Sequence, residues 1–218
     1  MKTLVYFLFS STEWLALIVL TFAMFKLQFK GYWGQIILTA VAMSFLSHFL
    51  FIVIDKRVIA TVLQPPALFL MIWQIFRIHI FYSALVTVYG YLAYLLAQMS
   101  IVVCMRFAGV PIEIMVPNTV PMYIIQSISI LIVLSLSWFL SRSRVGFTFI
   151  PDYEYSDVKL TGLNLKLFIL ILLGYLSVAV TNFVAFSSST TKLLFVLAIS
   201  LILGILLYLA QRKEYKDD

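Results

Sequence analysis

Apolar residues in this chain run in long blocks, separated by short polar or basic stretches. Seven blocks reach the roughly 20 residues a helix needs to cross a bilayer. They cover about 4–25, 34–54, 58–76, 80–105, 121–140, 166–186 and 191–210. The fourth, IFYSALVTVYGYLAYLLAQMSIVVCM (Ile80–Met105), carries the clearest pattern. Its polar residues Ser83, Thr87, Tyr91, Tyr94 and Gln98 recur at helical spacing and fall within an arc of roughly 80°, with Gly90 at its edge. Leu85, Val88, Leu92, Leu96, Met99 and Val103 take the opposite side. The expected helix turns one face to lipid and the other to neighbouring helices or a cavity, because polar groups in hydrocarbon need protein partners. The predicted fold class is all-α: a polytopic transmembrane helix bundle of about seven spans, organised around this helix. Residues 1–210 read as one transmembrane domain and 211–218 as a short cytoplasmic tail. Six spans remain the alternative, because the turn Arg77-Ile78-His79 is very short and holds neither Gly nor Pro.

Composition strengthens the membrane reading. The 218 residues are 63% hydrophobic and 11% charged, where a soluble domain carries about 25% charged residues. The formal charge of +6 would raise nucleic acid as a partner in a soluble protein. Here the basic residues flank spans, so they report orientation and contact with anionic headgroups, and nucleic acid is excluded. With the N-terminus outside, the outer segments hold Lys2, Lys56, Arg57, Arg106 and Lys192. The inner ones hold Lys26, Lys30, Arg77, Arg142, Arg144, Lys159, Lys166, Arg212, Lys213 and Lys216. The excess predicts N-terminus out and C-terminus in. The start, Lys2 followed by LVYFLF, is similar to a secretion signal, but Glu13 interrupts the run and no small-x-small site follows, so the first span reads as uncleaved. The last four residues resemble a clipped affinity tag and are given no role.

Several positions are candidates for function. Glu13 is an acid within the first span; it is either a functional group inside the bilayer or an interfacial residue beside Trp14. His48 shares a face with Ala40, Ser44 and Ser47 and reads as a ligand contact, a pH-sensitive group or a packing residue. Pro65 and Pro66 follow Gln64 and predict a kink or break in the third span, or the end of an interfacial helix ahead of it. Gly174, Ser177, Thr181 and Ala185 form a close-packing face, as do Ser200 and Gly204. In the connection after the fourth span, Glu113 either pairs with Arg106 or is solvated. In the long connection 141–166, VGFTFI alternates like a short strand or extended segment. Asp152, Glu154 and Asp157 there lack the Gly and closing Glu of a calcium loop.

The chemistry of most enzymes is missing. There is no nucleotide-binding glycine loop and no HExxH. The lone Cys104 excludes an internal disulfide. Cys104 and His79 lie near opposite ends of the fourth span, roughly 37 Å apart along a straight helix. No metal site, no cofactor and no enzymatic activity are expected.

The order of features, SSTEWLALIVL in span one, FYSALVTVYGYLAYLLAQ after a short basic turn, then RSRVGFTFIPDYEY and VKLTGLNL after span five, with a basic continuation of the last helix, resembles the membrane sensor half of accessory-gene-regulator-type, peptide-sensing receptor histidine kinases of Gram-positive bacteria. The resemblance covers nearly the whole chain in pattern. It implies a bacterial cytoplasmic-membrane protein whose membrane half receives an extracellular peptide. The chain departs from that family by stopping after the last span, with no phosphoacceptor helix or ATP-binding domain. Autokinase activity is therefore out of reach, and a stand-alone receptor-like protein, a partner subunit or a trimmed piece of a longer chain is left. The expectation is a signal-perception or interaction module that binds a small peptide or lipid-like ligand near Glu13, His48, Ser83, Thr87, Tyr91, Tyr94 and Gln98. Its partners would be membrane lipids and a protein supplying the output. The alternatives are a small transporter or channel using the interrupted third span, an intramembrane peptide- or lipid-processing enzyme, and a structural homo-oligomer.

Overall fold

The computed structural model describes residues 2–54, 57–107, 120–150, 158, 161–185 and 189–217. Among the described residues every regular element is helical: α1 (Lys2–Met24), α2 (Trp33–His48), α3 (Arg57–Phe76), α4 (Ile80–Phe107), α5 (Val120–Ser143), α6 (Leu163–Ala185) and α7 (Ser189–Asp217). A π-helical turn, Phe49–Val53, continues α2. All seven helices are long and apolar enough to span a membrane. The chain is therefore a polytopic helical membrane protein with seven candidate spans. The candidate metal-loop residues Asp152, Glu154 and Asp157, and Glu113, lie outside the described residues.

The short turn between α3 and α4 is made without glycine. Arg77 adopts φ +54°, the left-handed conformation that normally favours Gly. Lys26 and Arg144 do the same after α1 and α5, at φ +47° and +52°. In both of those cases the next N–H reaches back five residues, Leu27 to the Phe22 carbonyl at 3.0 Å and Val145 to the Leu140 carbonyl at 3.2 Å. That is the Schellman closure, which satisfies a helix-end carbonyl. Three helices that finish at the same end of the bundle thus close on a cation, placed where the helix dipole favours positive charge. On the other side of the turn, the His79 Nδ1 accepts the Phe81 N–H at 3.2 Å and caps α4. His79 is a helix cap, and α3 and α4 are separate spans.

We call this the basal end. It also holds the C-terminal part of α7 and residues 145–150. That segment forms no strand; it runs extended, and the Phe147 N–H donates to the Met24 carbonyl at 2.8 Å.

The fourth helix is central, but the expected lipid face is absent over its first half. It packs against α1, α3, α5, α6 and α7. Leu85 and Leu92 are fully buried and Val88 and Met99 nearly so. The apolar side of α4 meets α6, where Gly174 lies directly against Val88 and Leu92. The polar side meets α1, where Gly90 lies against Thr21 and Leu17. A helix with neighbours all round can be apolar on one side without that side reaching lipid.

Two other expectations change. Pro65 and Pro66 sit inside α3, which runs without a break from Arg57 to Phe76. The prolines therefore neither interrupt the span nor end an interfacial helix. Ser200 and Gly204 face outward: Ser200 is exposed and a side chain at Gly204 would meet only open space. The side of α7 that packs carries Ile199, Leu203, Leu206 and Ala210. Four-residue spacing places two small residues on one face but does not say which face is inward. Gly174 packs as expected. Ser177 is half-buried and donates to the Leu173 carbonyl at 2.9 Å. The Thr181 side chain lies outside the described residues.

Candidate functional site

Glu13 is placed at the midpoint of α1, which begins at Lys2 and ends at Met24. At about 1.5 Å per residue it is roughly 16 Å from either end of that helix. Its two carboxylate oxygens accept from two other helices. The Tyr94 hydroxyl of α4 donates to Oε1 at 2.9 Å, and Gln126 Nε2 of α5 donates to Oε2 at 2.8 Å. One acid thus joins three helices. Ser10, one turn earlier on α1, is buried beside it.

A second polar knot lies next to the first. Trp14, adjacent to Glu13, donates its indole N–H to Ser47 Oγ of α2 at 3.0 Å. Gln64 Nε2 of α3 donates to the same oxygen at 2.8 Å, and Ser47 donates to the Met43 carbonyl at 2.9 Å. One hydroxyl therefore serves three helices, and all three side chains are buried. The Trp14 ring meets the Tyr91 ring edge-on at 5.8 Å. Among the described residues the buried Tyr91 hydroxyl has no hydrogen-bond partner, and the same is true of Tyr175 on α6. Tyr175 also lines an open, largely apolar groove between α3, α4 and α6, with Pro65, Pro66, Phe69 and Leu172.

The predicted polar stripe of α4 thus divides. Ser83 and Thr87 are buried and satisfied by backbone, Ser83 Oγ on the Ile78 carbonyl at 3.0 Å and Thr87 Oγ1 on the Ser83 carbonyl at 2.7 Å. Their hydroxyl donors are used within the helix and its cap. Tyr91 and Tyr94 belong to the Glu13 region. Gln98 is half-buried and makes no hydrogen bond among the described residues. His48 is half-buried between rings of α1, 4.8 Å from Phe7 and 5.5 Å from Tyr6.

The basal end carries a third constellation. The Lys213 ammonium is buried against the rings of Tyr82, Phe149 and Phe81, at 4.6, 5.2 and 5.5 Å. It donates to the Tyr82 hydroxyl oxygen at 2.9 Å and to Asn164 Oδ1 at 2.8 Å. The neighbouring Glu214 accepts the Thr148 N–H on both oxygens, the Phe149 N–H at 3.2 Å, and the Thr148 hydroxyl. Higher up, the Tyr89 hydroxyl donates to the Leu206 carbonyl of α7. The last turns of α7 are thereby tied to α4, to α6 and to the connection after α5.

Gln126, Lys213, Glu214 and Tyr89 carry these contacts without having been singled out from sequence. An amide inside an apolar span was a usable signal for Gln126, because an acid at mid-helix needs a donor. No local signal marks Lys213, which reads as an ordinary inner-leaflet cation. Among the described residues no group of His, Cys, Asp or Glu is arranged to hold a metal ion. Neither a protein-family model, nor a curated protein sequence, nor a solved structure matches the chain.

Proposed function

We propose that the chain is a multi-pass signal-perception module. A small peptide or lipid-like ligand binds near Glu13, and the resulting shift in helix packing passes through α4 to α7 and on to a partner. One observation carries this reading: α4 holds the polar node and the exit helix at once. Its Tyr94 bonds Glu13, while its Tyr89 and Tyr82 bond Leu206 and Lys213 of α7. A ligand that competes for Tyr94 or Gln126 favours one arrangement of α1, α4 and α5, and by linkage one setting of α7. The pattern likeness to peptide-sensing receptor kinases, and the orientation predicted from Lys and Arg placement, N-terminus out and C-terminus in, are the basis for a ligand arriving from outside. The transporter alternative drew on a broken third span and on the buried polar residues as its path, and of these the break is absent from α3.

The test is mass spectrometry of what co-purifies in mild detergent. A small molecule or peptide held by the wild type should be lost from Glu13→Ala and from Tyr94→Phe combined with Gln126→Ala. Undiminished retention in both folded variants rules out the node as the binding site. Substrate flux at catalytic turnover in proteoliposomes would replace perception with transport.

A further inference from the structure

We propose that the node around Glu13 receives a primary ammonium group carried on an apolar body. The inference rests on the perception reading for what binding achieves, and adds the chemistry of what binds. Each oxygen of the Glu13 carboxylate takes one hydrogen bond, from the Tyr94 hydroxyl on one and the Gln126 amide on the other. The Gln126 amide donates to one oxygen, and the Tyr94 hydroxyl, which both donates and accepts, meets the other. Both donors are uncharged. Among the described residues no cation pairs with Glu13. A carboxyl at the midpoint of a spanning helix with only neutral partners holds its charge only when a counter-charge joins it, and otherwise takes up a proton.

The surroundings fit an ammonium in particular. Each carboxylate oxygen keeps one further acceptor position, and a primary ammonium carries three donors. A third acceptor is at hand in the Tyr91 hydroxyl, one turn before Tyr94 on the same side of α4. Tyr91 is 9% exposed and its hydroxyl is unpartnered among the described residues. The rings of Trp14, Tyr91 and Tyr94 are all buried here, and aromatic faces attract cations by their quadrupole. A group that reaches the middle of the bundle must bring an apolar body with it. The bundle already solves the same problem at its basal end. There the Lys213 ammonium is buried among three rings and bonded to Tyr82 and Asn164.

The experiment uses the full chain in maltoside detergent, with octylamine, 1-octanol and octanoate as probes of one chain length and three charges. Thermal unfolding is followed by intrinsic tryptophan fluorescence. Octylamine should raise the wild-type Tm at concentrations where octanol and octanoate do not. Glu13→Gln should weaken that octylamine response at least tenfold, while Tyr94→Phe, which keeps the carboxylate, should retain the preference for the amine. Should Glu13→Gln fail to fold, Glu13→Asp should show a weakened preference of the same sign. Equal responses to octylamine and octanol, no octylamine response, or an unchanged response in Glu13→Gln would overturn the proposal. A bimane label on Gln211→Cys, in a Cys104→Ser background, separates this from the perception reading. A Glu13-dependent Tm shift with a static label keeps the ammonium site and removes the relay. A label that responds to a co-purified neutral ligand, with no octylamine effect, keeps the relay and removes the ammonium site.

Discussion

Replacing Gly90 by alanine should destabilise the bundle, although alanine is the better helix former. The methyl group would overlap Thr21 Oγ1 and lie 3.2 Å from Thr21 Cβ and 3.4 Å from a Leu17 methyl. Thr21 is fully buried, and its hydroxyl is tied to the Leu17 carbonyl at 2.7 Å. Rotating it away sacrifices that bond and pushes its own methyl into the α1–α4 seam. Overpacking of this kind costs about 1–3 kcal/mol, and the lost hydroxyl bond about 1 kcal/mol. Alanine returns about 1 kcal/mol of helix propensity. The expected net loss is roughly 1–3 kcal/mol. Adding Thr21→Ala removes the overlapping oxygen, so the double variant should recover most of the loss, with a coupling energy of about 1–3 kcal/mol between the two sites. Reversible unfolding in mixed detergent micelles measures all four corners of the cycle. A neutral or stabilising Gly90→Ala, or strictly additive variants, would show that α1 and α4 do not pack as described.

Three further outcomes are expected. Ser47→Ala leaves the Trp14 indole N–H and the Gln64 amide without their acceptor, at about 1–3 kcal/mol for each stranded group; in the same unfolding assay it should cost more than Trp14→Phe, which strands none. Glu214→Gln should speed amide hydrogen exchange at Thr148 and Phe149, because the strong charged acceptor of both N–H groups is gone; unchanged exchange there would count against the clasp. Gly174→Ala should be destabilising through its contact with Val88, and Val88→Ala should relieve it, as read by the same cycle.

Fold class and span number were legible because they depend on solvent. Blocks of apolar sequence with basic flanks need no tertiary information, and six of the seven spans agree with helices to within a few residues. The α3–α4 turn was ambiguous because its device, a left-handed Arg77, is conformational: nothing in the letters distinguishes it from a helical arginine. The candidate site was legible in half. Glu13 and Tyr94 stood out as polar groups in oil, and they meet. Their third partner, Gln126, lies 113 positions from Glu13 in the chain, and one sequence holds no record of which spans are neighbours. The same ignorance explains Ser200 and Gly204, whose spacing was right and whose direction was not. Ser83 and Thr87 show a further limit, since a hydroxyl on a buried face can be satisfied by its own helix.

Lys213 and Glu214 are consecutive, so their side chains leave α7 about 100° apart. One is sunk into the aromatic cage and the other grips residues 148 and 149. The two grips act together as a torsion stop: α7 cannot turn about its own axis in either direction without letting go of at least one. Whatever is coupled to the far end of this helix would therefore sense it as a rigid rod moving with the basal floor, and free spin would begin only after both holds have opened.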